Sequence, residues 1–402
     1  MSSRLNRLTS EASIKFVKDN ENADVNQLLL GKVPNGIDIK EAADQILSRR
    51  KAKDKLPAWH ACHQLVFPPP LSLEQSSSEK TAAYKKNLLQ GNHLIDLTGG
   101  LGVDLITLSS QFQKTTHVEI DPWLSELFAH NAKKLSQNNI VSLNLSAEDF
   151  LSQFEGRATF FIDPARRSDD KKKVFLFQDC SPNVIELMEQ FRQKGESVLI
   201  KAAPMIDITL GIKQLEHVKQ VHVLSLNNEC KEILFLLDFD FSGTPNIHCI
   251  NLRQDQVDQF VFDSEKEKIA HVNFSDVKKY LYEPNASIRK AGAFKSIGEY
   301  YQLEKIAVNT HLYTSEDLDV DFPGRIFEVI GLVTKKNIKS LFPNEKANVI
   351  SKNHPMTADQ LKNKFGLKDG GDLFLIGFRD QNNKTSLIAC QKISTSQTSK
   401  RV

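Results

Sequence analysis

The sequence predicts an α/β fold built on a seven-stranded, mostly parallel sheet whose last strand is antiparallel. Apolar strand candidates alternate with helix candidates between Asn92 and Phe241, a pattern typical of a parallel sheet covered on both faces. Only Asn227 to Lys231 separate the last two strand candidates, too few residues for a crossover, so these two should form a hairpin. A glycine-rich segment, Gly99 to Gly102, follows the first strand. We expect a helical region before this sheet and an α+β unit after it.

Composition excludes several classes of protein. The 402 residues are enough for two to four domains, and 40% hydrophobic with 25% charged residues is ordinary globular usage. No apolar run is long enough to span a bilayer, and the first ten residues lack the apolar core of a signal peptide. The five cysteines are scattered without a CxxC pair, which suits reduced thiols and gives no zinc-ligand spacing. We therefore expect a cytoplasmic protein without a structural metal.

Residues 1–70 form the predicted N-terminal helical region. Ala42, Ala43 and Ile46 recur at helical spacing, and Asp38 stands before them as a candidate N-cap. The prolines at 68–70 and the segment Gln75–Ser78 have the composition of a linker. A helical pattern follows from Glu79 to Leu89 and indicates that this stretch packs on the sheet that comes next.

Residues 71–241 hold the predicted sheet domain. Helix candidates, for example Pro122–Leu135 and Pro182–Gln193, lie between the first five strands. The seven strand candidates are His93–Leu97, Thr115–Ile120, Ser142–Leu145, Thr159–Ile162, Ser197–Lys201, Gln220–Leu226 and Glu232–Phe239.

The remainder divides into an α+β connecting domain at 242–330 and a basic βαββ domain at 331–396. In the first we expect strands at Gln259–Phe262 and Arg325–Val333 and a helix around Asp276–Leu281. The βαββ pattern consists of strands at Asn348–Ser351, Leu373–Phe378 and Ser386–Ile393 with a helix at Ala358–Phe365. From Gly331 to Val402 there are 13 Lys and Arg against 5 Asp and Glu, a local charge of +8 within a chain of net charge +2. This asymmetry predicts an anionic partner for the C-terminal part.

The segment from His93 to Asp104 carries the first chemical signal. A strand runs into a glycine-rich turn and then a helix, an arrangement in which the backbone can approach a ligand closely. Leu105 stands where the dinucleotide fingerprint has its third glycine, and no Gly-Lys-Ser/Thr follows, which excludes a phosphate-binding P-loop. The loop favours an adenosine-containing cofactor; a plain strand-to-helix turn is the alternative.

Acidic residues follow the next two strands. Glu119 ends the second strand, where a carboxylate can accept hydrogen bonds from ribose hydroxyls. Asp121, before Pro122, is better explained as a helix N-cap. Asp149 follows the third strand and is a candidate acceptor for an adenine amino group, or else an acid of a surface loop.

The fourth strand ends in Asp163-Pro164-Ala165-Arg166-Arg167. Ligands of open α/β sheets bind at this edge, so Asp163 is a candidate catalytic residue. Arg166 and Arg167 begin a basic segment that continues through Lys171–Lys173 and suits phosphate.

Together these residues resemble the class I S-adenosylmethionine-dependent methyltransferases over roughly residues 70–241. The sheet with its terminal hairpin, the D-x-T-G-G-x-G-x-D loop, the acid after the second strand and the D-P-x-R motif occur in that family's order. The resemblance implies a Rossmann-like fold and S-adenosylmethionine as cofactor. It places Glu119 on the ribose, Asp149 on the adenine amine and Ser77 near the methionine carboxylate. The residues implied for the methionine side are Asp96, Thr98, Gly99, Gly100 and Gly102.

The whole chain resembles the members that carry a C-terminal THUMP-like domain of α+β, ferredoxin-like type, which implies RNA, transfer or ribosomal, as partner. We expect Asp163, Pro164 and Arg166 to be the catalytic residues. The expected target of methylation is a base nitrogen. The expected RNA contacts are Arg166, Arg167, Lys335 and Lys336. The motif departs from the Asp/Asn-Pro-Pro-aromatic pattern of amino-methylating relatives, because Ala165 and Arg166 replace the second proline and the aromatic residue.

Other functions remain open. An RNA-binding scaffold with a vestigial cofactor site, a protein methyltransferase and an NAD-dependent oxidoreductase are the alternatives. Methyl transfer to a pyrimidine carbon requires a thiol nucleophile. For Cys62 and Cys180 a structural role is the simpler interpretation, and His60 and His63 lack a third metal ligand.

Overall fold

The computed structural model describes residues 2–32, 34–137, 139–166 and 176–394. The chain folds into two compact units. The first comprises Met1–Lys219 and Ile233–Gly243, and the second comprises Gln220–Glu232 and Thr244–Val402. The predicted basic residues Arg167 and Lys171–Lys173 lie outside the described residues.

Short helices form the beginning of the first unit, as predicted. Asp38 caps the longest of them, because its Oδ1 accepts hydrogen bonds from the amides of Lys40 and Glu41 at 3.0 and 3.1 Å. Apolar side chains of this region, including Trp59 and Phe67, share a core with Leu101 and Leu127 of the sheet domain. The helices are α1 (Ser3–Leu8), α2 (Glu11–Asp19), α3 (Val25–Leu30), α4 (Ile39–Lys55), α5 (Pro57–Ala61), α6 (Pro70–Gln75) and α7 (Glu79–Lys85).

Strands and helices then alternate through the rest of the first unit. A 3₁₀ turn covers Phe177–Asp179. The elements are β1 (His93–Asp96), α8 (Val103–Ser109), β2 (Lys114–Val118), α9 (Pro122–Lys134), β3 (Ile140–Leu143), α10 (Ala147–Gln153), β4 (Ala158–Ile162), β5 (Ala165–Arg166), β6 (Cys180–Ser181), α11 (Val184–Lys194), β7 (Gly195–Ala202) and α12 (Ile208–Leu215).

The sheet of the first unit has the strand order β3-β2-β1-β4-β7, and all five strands are parallel. Strands β2 and β3 lie on one side of β1, and β4, the next strand along the chain, lies on its other side. This reversal creates a crevice at the carboxyl ends of β1 and β4, where doubly wound sheets bind ligands. Every residue of β4 is buried, as expected for a strand covered on both faces.

The predicted hairpin is confirmed by β8 (Val218–Leu226) and β9 (Glu229–Leu237). Asn227 and Asn228 form its two-residue turn with φ of 50° and 66°. Two successive positive φ angles are the signature of a type I′ turn, in which asparagine is favoured. Residues 233–237 of β9 pair antiparallel with β7, so the last strand of the sheet has the predicted direction.

The second unit contains two groups of strands. β8 pairs in parallel with β10, a strand that the sequence analysis missed, and β10 pairs antiparallel with β11. A separate sheet has the order β13-β14-β12-β15-β18-β17-β16, and the predicted βαββ unit corresponds to β16, α17, β17 and β18. These elements are β10 (Asn246–Leu252), β11 (Val257–Asp263), α13 (Ser264–Ile269), β12 (Tyr280–Pro284), α14 (Ala286–Ala291), α15 (Ser296–Tyr300), β13 (Glu304–Ala307), β14 (Thr310–Ser315), β15 (Gly324–Leu332), α16 (Ile338–Leu341), β16 (Asn348–Lys352), α17 (Ala358–Phe365), β17 (Leu373–Arg379) and β18 (Thr385–Lys392).

The helix predicted around Asp276–Leu281 is wrong. Residues 280–284 form β12, which lies between β14 and β15 in the middle of its sheet. Leu281 and Tyr282 are both fully buried there. A central strand buried on both faces gives a continuous apolar run rather than an alternating one, and such a run resembles one side of a helix.

Within the described ranges, no helix combines the length and apolar character needed to cross a membrane.

Candidate active site

A cleft of about 340 Å³ opens at the carboxyl ends of β1, β2, β4 and β7 in the first unit. It lies at the crevice that the strand order creates. Its lining includes most of the residues that the sequence assigned to a cofactor or to catalysis, namely Ser77, Asp96, Thr98, Gly99, Gly100, Gly102, Glu119 and Asp163. The sequence motifs, which are up to 86 positions apart, therefore converge on one site.

The glycines of the β1–α8 loop serve two different purposes. A Cβ on Gly99 would lie 2.2 Å from His117 Nε2, and one on Gly102 would lie 2.2 Å from a ring carbon of Phe128. These two rings stack in parallel with centroids 3.7 Å apart, so the loop rests on an aromatic platform. Gly100, at φ +51°, meets only Thr98 O at 3.8 Å within a 4 Å radius. Gly100 is thus the position where the missing side chain leaves room in the cleft.

Asp96, at the end of β1, is buried and organises the turn. Its Oδ1 accepts a hydrogen bond from the Thr98 amide at 3.0 Å, and the Thr98 hydroxyl oxygen accepts one from the Asp163 amide at 2.6 Å. Burial raises the pKa of Asp96 well above its usual value, and the nearby carboxylates of Asp104, Asp163 and Glu119 act in the same direction. Asp96 therefore holds Thr98, and Thr98 links the β1 loop to the end of β4.

Glu119, at the end of β2, holds the glycine loop. Its Oε2 accepts from the Gly100 amide at 2.7 Å and its Oε1 from the Asp121 amide at 2.8 Å. A carboxylate offers about four lone-pair directions, so acceptor capacity remains for ligand hydroxyls. Ile120 beside it has 71% of its surface exposed and lines the same cleft. An acid and an exposed apolar residue are suitable neighbours for a ribose and a purine ring.

A chain of charged side chains reaches from α7 to the end of β4, and the sequence analysis missed its first member, Lys85. Lys85 Nζ, fully buried, lies 2.8 Å from Asp104 Oδ1. Lys201 Nζ lies 2.5 Å from Asp163 Oδ2 and 3.8 Å from Asp104 Oδ2. Burial acts to raise the pKa of Asp104, but the two ammonium groups and the hydrogen bonds from Lys85 and Ser77 hold it below its usual value. Asp104 ends the glycine motif and offered a signal, whereas Lys85 offered none.

The three serines of the segment Gln75–Ser78 each have a separate contact. The Ser76 hydroxyl donates to Leu73 O at 2.8 Å, Ser77 donates to Asp104 Oδ2 at 2.6 Å, and Ser78 caps α7. Gln75, Ser76 and Ser77 all line the cleft. The segment therefore forms a wall of the site rather than a linker.

The structure does not bring Asp149 to the cleft. Asp149 is exposed in the first turn of α10, where its amide donates to the Ser146 hydroxyl at 3.0 Å and its Oδ2 accepts from that hydroxyl at 2.8 Å. Glu148, one position earlier, lines the cleft together with Ser146 and Ala147. The loop that the sequence identified lies at the cleft, but its exposed acid there is Glu148, because the start of a helix decides which side chain faces which way.

The residues after Asp163 are placed differently from one another. Pro164 is buried and does not line the cleft, whereas Ala165 does. Arg166 is exposed on β5, which pairs with β6. Lys335 and Lys336 are exposed in the second unit, between β15 and α16.

The cysteine and histidine candidates have structural contacts. Cys180 is fully buried and Cys62 is half-buried. His60 Nε2 lies 2.7 Å from Glu21 Oε1, and His63 Nδ1 lies 3.1 Å from Arg49 Nη2. Among the residues described, no group of three or more His, Cys, Asp or Glu side chains is arranged to hold a metal ion.

These features fit S-adenosylmethionine. Ile120 and Leu124 offer an apolar surface, Glu119 offers acceptors for hydroxyls, and Gly100 allows close approach of the backbone. The cleft volume of about 340 Å³ lies in the range of about 300–1,000 Å³ that is usual for small-molecule sites.

Comparisons with known proteins agree with this geometry. A crystal structure from Porphyromonas gingivalis W83, provisionally assigned as a methyltransferase, superposes with a TM-score of 0.85 at 30% identity and covers 95% of this chain and 98% of that one. A ferredoxin-like domain model matches residues 280–323, and a THUMP domain-like model matches residues 324–392. Two Mycobacterium tuberculosis proteins, from strains CDC 1551 and H37Rv, are each named as an uncharacterized S-adenosylmethionine-dependent methyltransferase and are 24% identical over 233 residues.

That match covers 58% of this chain and spans 61% of the length of the M. tuberculosis relatives. The P. gingivalis similarity, in contrast, extends over nearly the full length of both chains. With the cleft, the strand order and the THUMP domain-like match, it shows that the chain belongs to the class I S-adenosylmethionine-dependent methyltransferases that carry a C-terminal THUMP-like domain.

Proposed function

We propose that this protein transfers a methyl group from S-adenosylmethionine to RNA, at a base nitrogen. The observation that carries the proposal is the position of Asp163 in the cleft, at the end of β4 and beside the cofactor loop. Its amide is tied to the Thr98 hydroxyl and its Oδ2 to the Lys201 ammonium. An aspartate whose backbone amide and one carboxylate oxygen are both fixed is suited to orient a substrate group with its other oxygen.

The chain's own residues would hold the cofactor through groups already placed in the cleft. Glu119 would accept from the ribose hydroxyls, Ile120 would cover the purine, and the Gly100 region would contact the methionine part. The bound cofactor supplies an electrophilic methyl group on a sulfonium. The protein then has to align the acceptor and exclude water rather than to create a strong nucleophile.

Asp163 would act on the acceptor group. Lys201 holds Oδ2 at 2.5 Å, and Oδ1 would accept a hydrogen bond from a base N–H and stabilise the positive charge that develops on the nitrogen. The buried pair Lys85–Asp104 fixes Lys201 from the other side and thereby sets the orientation of Asp163. Asp163 is the proposed catalytic residue, and Lys201 is a positioning residue.

RNA as substrate is supported by the second unit. Its THUMP domain-like match covers residues 324–392, and residues 331–402 carry a local charge of +8. Lys335, Lys336 and Lys339 are exposed and are available to phosphates. Lys362 is less suited to RNA, because it already pairs with Asp359 and Asp369.

The Asp163–Lys201 pair also favours a second acceptor, a hydroxyl oxygen of RNA. In that case Asp163 Oδ1 would accept the hydroxyl proton as the hydroxyl oxygen takes the methyl group, and the carbon–sulfur bond of the cofactor would break to leave neutral S-adenosylhomocysteine. The Lys201 ammonium would stabilise the negative charge that develops on the oxygen. The two candidates differ in the atom that carries the product methyl group.

Mass spectrometry of nucleosides tests both candidates. RNA from a deletion strain and its parent is digested, and purified protein is then added back to the deletion-strain RNA. Fragmentation separates the base from the sugar of each nucleoside. A methyl group that stays on the base supports methylation of a base nitrogen, and a methyl group that leaves with the sugar supports methylation of a hydroxyl oxygen. If the nucleosides of the two strains do not differ and a co-purified protein is methylated, the substrate is a protein rather than RNA.

Substitution of Asp163 tests its role directly. We expect Asp163→Ala to lower the rate of methyl transfer about a hundredfold or more while calorimetry shows nearly unchanged S-adenosylhomocysteine affinity. Asp163→Asn, which keeps an acceptor oxygen, should retain more activity than Asp163→Ala. Near-normal turnover in both variants would remove Asp163 from the catalytic group. Absence of saturable cofactor binding in the wild type would favour the scaffold alternative.

A further inference from the structure

The second unit contains a cavity of about 470 Å³ that shares no lining residue with the cleft. Its wall is formed by the β8–β9 turn, the end of β10, the start of β15 and the end of β18. Four asparagines and three cationic side chains dominate it, and none of the described residues that line it carries a carboxylate. The lining residues are Asn227, Asn228, Asn251, Arg253, Asn285, Gly324, Arg325, Ile326, Lys392, Ile393 and Ser394.

Asn285 lines this cavity and has a buried donor that is not used within the described residues. The residue is 2% exposed, and its Oδ1 accepts hydrogen bonds from the amides of Ser287 and Ile288 at 3.0 and 3.2 Å and from the Ser287 hydroxyl at 2.6 Å. These donors fix which end of the amide is oxygen. In the part of the chain that the structure describes, Asn285 Nδ2 has no hydrogen-bond partner. A buried donor without an acceptor is costly, and an acceptor from a ligand would relieve that cost.

The charges around the cavity are positive in sum. Arg253 pairs with Asp258 at 2.7 Å, and Arg325 pairs with Glu283. Glu283 is shared with two more cations, Arg289 at 2.7 Å and Lys352 at 2.6 Å, so one carboxylate faces three cationic groups. Its pKa is held below the usual value: burial acts to raise it, but the charges of Arg325, Lys352 and Arg289 outweigh that effect.

Lys392 adds a further positive charge at the rim. It is exposed at the end of β18, and no ion pair to it is found within the described residues. In and behind this wall, two carboxylates, Asp258 and Glu283, pair with four cations, and Lys392 is a fifth cation. A guanidinium group has five N–H donors in a fixed planar arrangement, so donors remain after it forms one ion pair. The spacing of these donors matches that of phosphate oxygens.

We propose that this cavity binds a phosphate group. A wall with amide and guanidinium donors and a surplus of positive charge requires a ligand that is rich in acceptors and carries more than one negative charge. Phosphate meets this requirement better than a single carboxylate. The phosphate can belong to a small molecule or to an RNA chain. The proposal rests on the second unit alone and does not depend on the proposed methyl transfer.

Two substitutions and a matched control test the proposal in the full-length chain. Asn285→Asp keeps the oxygen that caps α14 but removes the Nδ2 donor. Lys392→Gln removes one charge from an exposed side chain. Lys384→Gln makes the same charge change in the exposed β17–β18 turn, outside the cavity. Thermal unfolding of each variant verifies folding, and Lys392→Gln alone suffices if Asn285→Asp does not fold.

Calorimetric titration with inorganic phosphate and with a short single-stranded RNA distinguishes the two sources. We expect saturable binding in the wild type, about a tenfold or greater loss in Asn285→Asp, a smaller loss in Lys392→Gln and no change in Lys384→Gln. An effect on inorganic phosphate alone supports a small phosphate ligand, and an effect on RNA supports a site for its backbone. If neither probe binds saturably, or if all variants bind like the wild type, the proposal is wrong.

Discussion

Two aspartates of one cleft differ in the direction of their pKa shifts. Asp96 lies among other carboxylates and has a raised pKa, whereas Asp104 lies between Lys85 and Lys201 and has a lowered one. Both side chains are buried, so burial alone does not separate them. The difference arises from the sign of the neighbouring charges.

The raised pKa of Asp96 has a consequence for stability. An unfolded aspartate titrates near ~3.9, so between that value and the higher folded pKa the folded chain binds more protons than the unfolded chain. This contribution to stability is present at low pH and is lost as pH rises through the folded pKa. Asp96→Asn keeps the acceptor for the Thr98 amide and does not titrate. The free energy of unfolding of this variant, relative to the wild type, should therefore increase as pH rises.

Urea unfolding at several pH values between about 4 and 8 measures this difference. The wild type provides the reference at each pH. Parallel curves for the two proteins over the whole range would show that Asp96 is not protonated in the folded chain.

Glu119 is expected to serve the cofactor both directly and through the loop. Glu119→Ala removes the acceptor for the Gly100 amide as well as those for a ribose. Binding of S-adenosylhomocysteine should weaken by about 1.5–3 kcal/mol through loss of charge-assisted hydrogen bonds. Glu119→Gln, which keeps one acceptor oxygen, should lose less affinity. Unchanged calorimetric affinity in Glu119→Ala, or tighter binding of NAD, would contradict the cofactor assignment.

At the scale of elements, the β1–α8 loop shows how one motif meets two demands. Gly99 and Gly102 allow the loop to rest on the stacked rings of His117 and Phe128, and Gly100 leaves space in the cleft. The glycine pattern therefore meets two requirements: Gly99 and Gly102 are needed for packing, and Gly100 is needed for binding.

These two requirements can be separated by substitution. Gly102→Ala adds positive-φ strain at +78° and places a Cβ 2.2 Å from Phe128, so it should destabilise the fold by about 2–4 kcal/mol. Gly100→Ala adds strain of about 1–2 kcal/mol without a close contact but fills part of the cleft. Urea unfolding and cofactor calorimetry on both variants measure the contrast. A larger stability loss in Gly100→Ala than in Gly102→Ala would refute this division.

At the scale of the molecule, charge is distributed unevenly along the chain. Residues 243–330 have 10 Lys and Arg against 14 Asp and Glu, whereas residues 331–402 carry +8. Many acids of the chain are already paired, but Lys335, Lys336 and Lys339 are exposed in one short segment. This segment is the strongest candidate for binding RNA phosphates in the THUMP domain-like region.

Neutralising Lys335, Lys336 and Lys339 together should weaken RNA binding about equally for different sequences. It should also flatten the log–log salt dependence by roughly 0.7 for each single-strand phosphate that the variant no longer binds. The control is Lys133→Ala with Lys134→Ala, which removes two charges instead of three and affects exposed lysines of α9. Filter binding over roughly 50–300 mM salt measures the slopes. If the wild type and the triple variant show the same RNA affinity and the same salt dependence, these lysines do not bind RNA and serve only as solvated surface residues.

The division into domains at residues 70, 241 and 330 remains a prediction. In the folded chain the N-terminal helices belong to the first unit, and most of β8 and the greater part of β9 fall in different units. A sequence reveals composition and pattern along the chain, whereas a compact unit is defined by the packing of distant segments against one another.

Local patterns were sufficient to predict the alternation of strands and helices, the terminal hairpin and the edge of the sheet where the candidate site lies. The β1 loop, Glu119 and Asp163 each follow a strand, and parallel strands bring their carboxyl ends to one edge. The hairpin follows from its short connection, and the helix caps at Asp38 and Asp121 follow from residue type alone. These features depend on neighbours within a few residues, which the sequence displays directly.

Only the tertiary structure identified the Lys85–Asp104–Lys201 chain of charges, the position of Glu148 rather than Asp149 in the cleft, and the unused donor of Asn285. Lys201 ends the fifth predicted strand at the edge of the sheet where the site lies, but no local pattern distinguishes Lys85, 116 positions earlier, from the other lysines of the chain. Whether a charged side chain is buried, paired or exposed depends on which distant residues the fold places beside it. Proximity in space therefore decided which partners these residues have, because hydrogen bonds and ion pairs act over a few ångströms, regardless of separation along the chain.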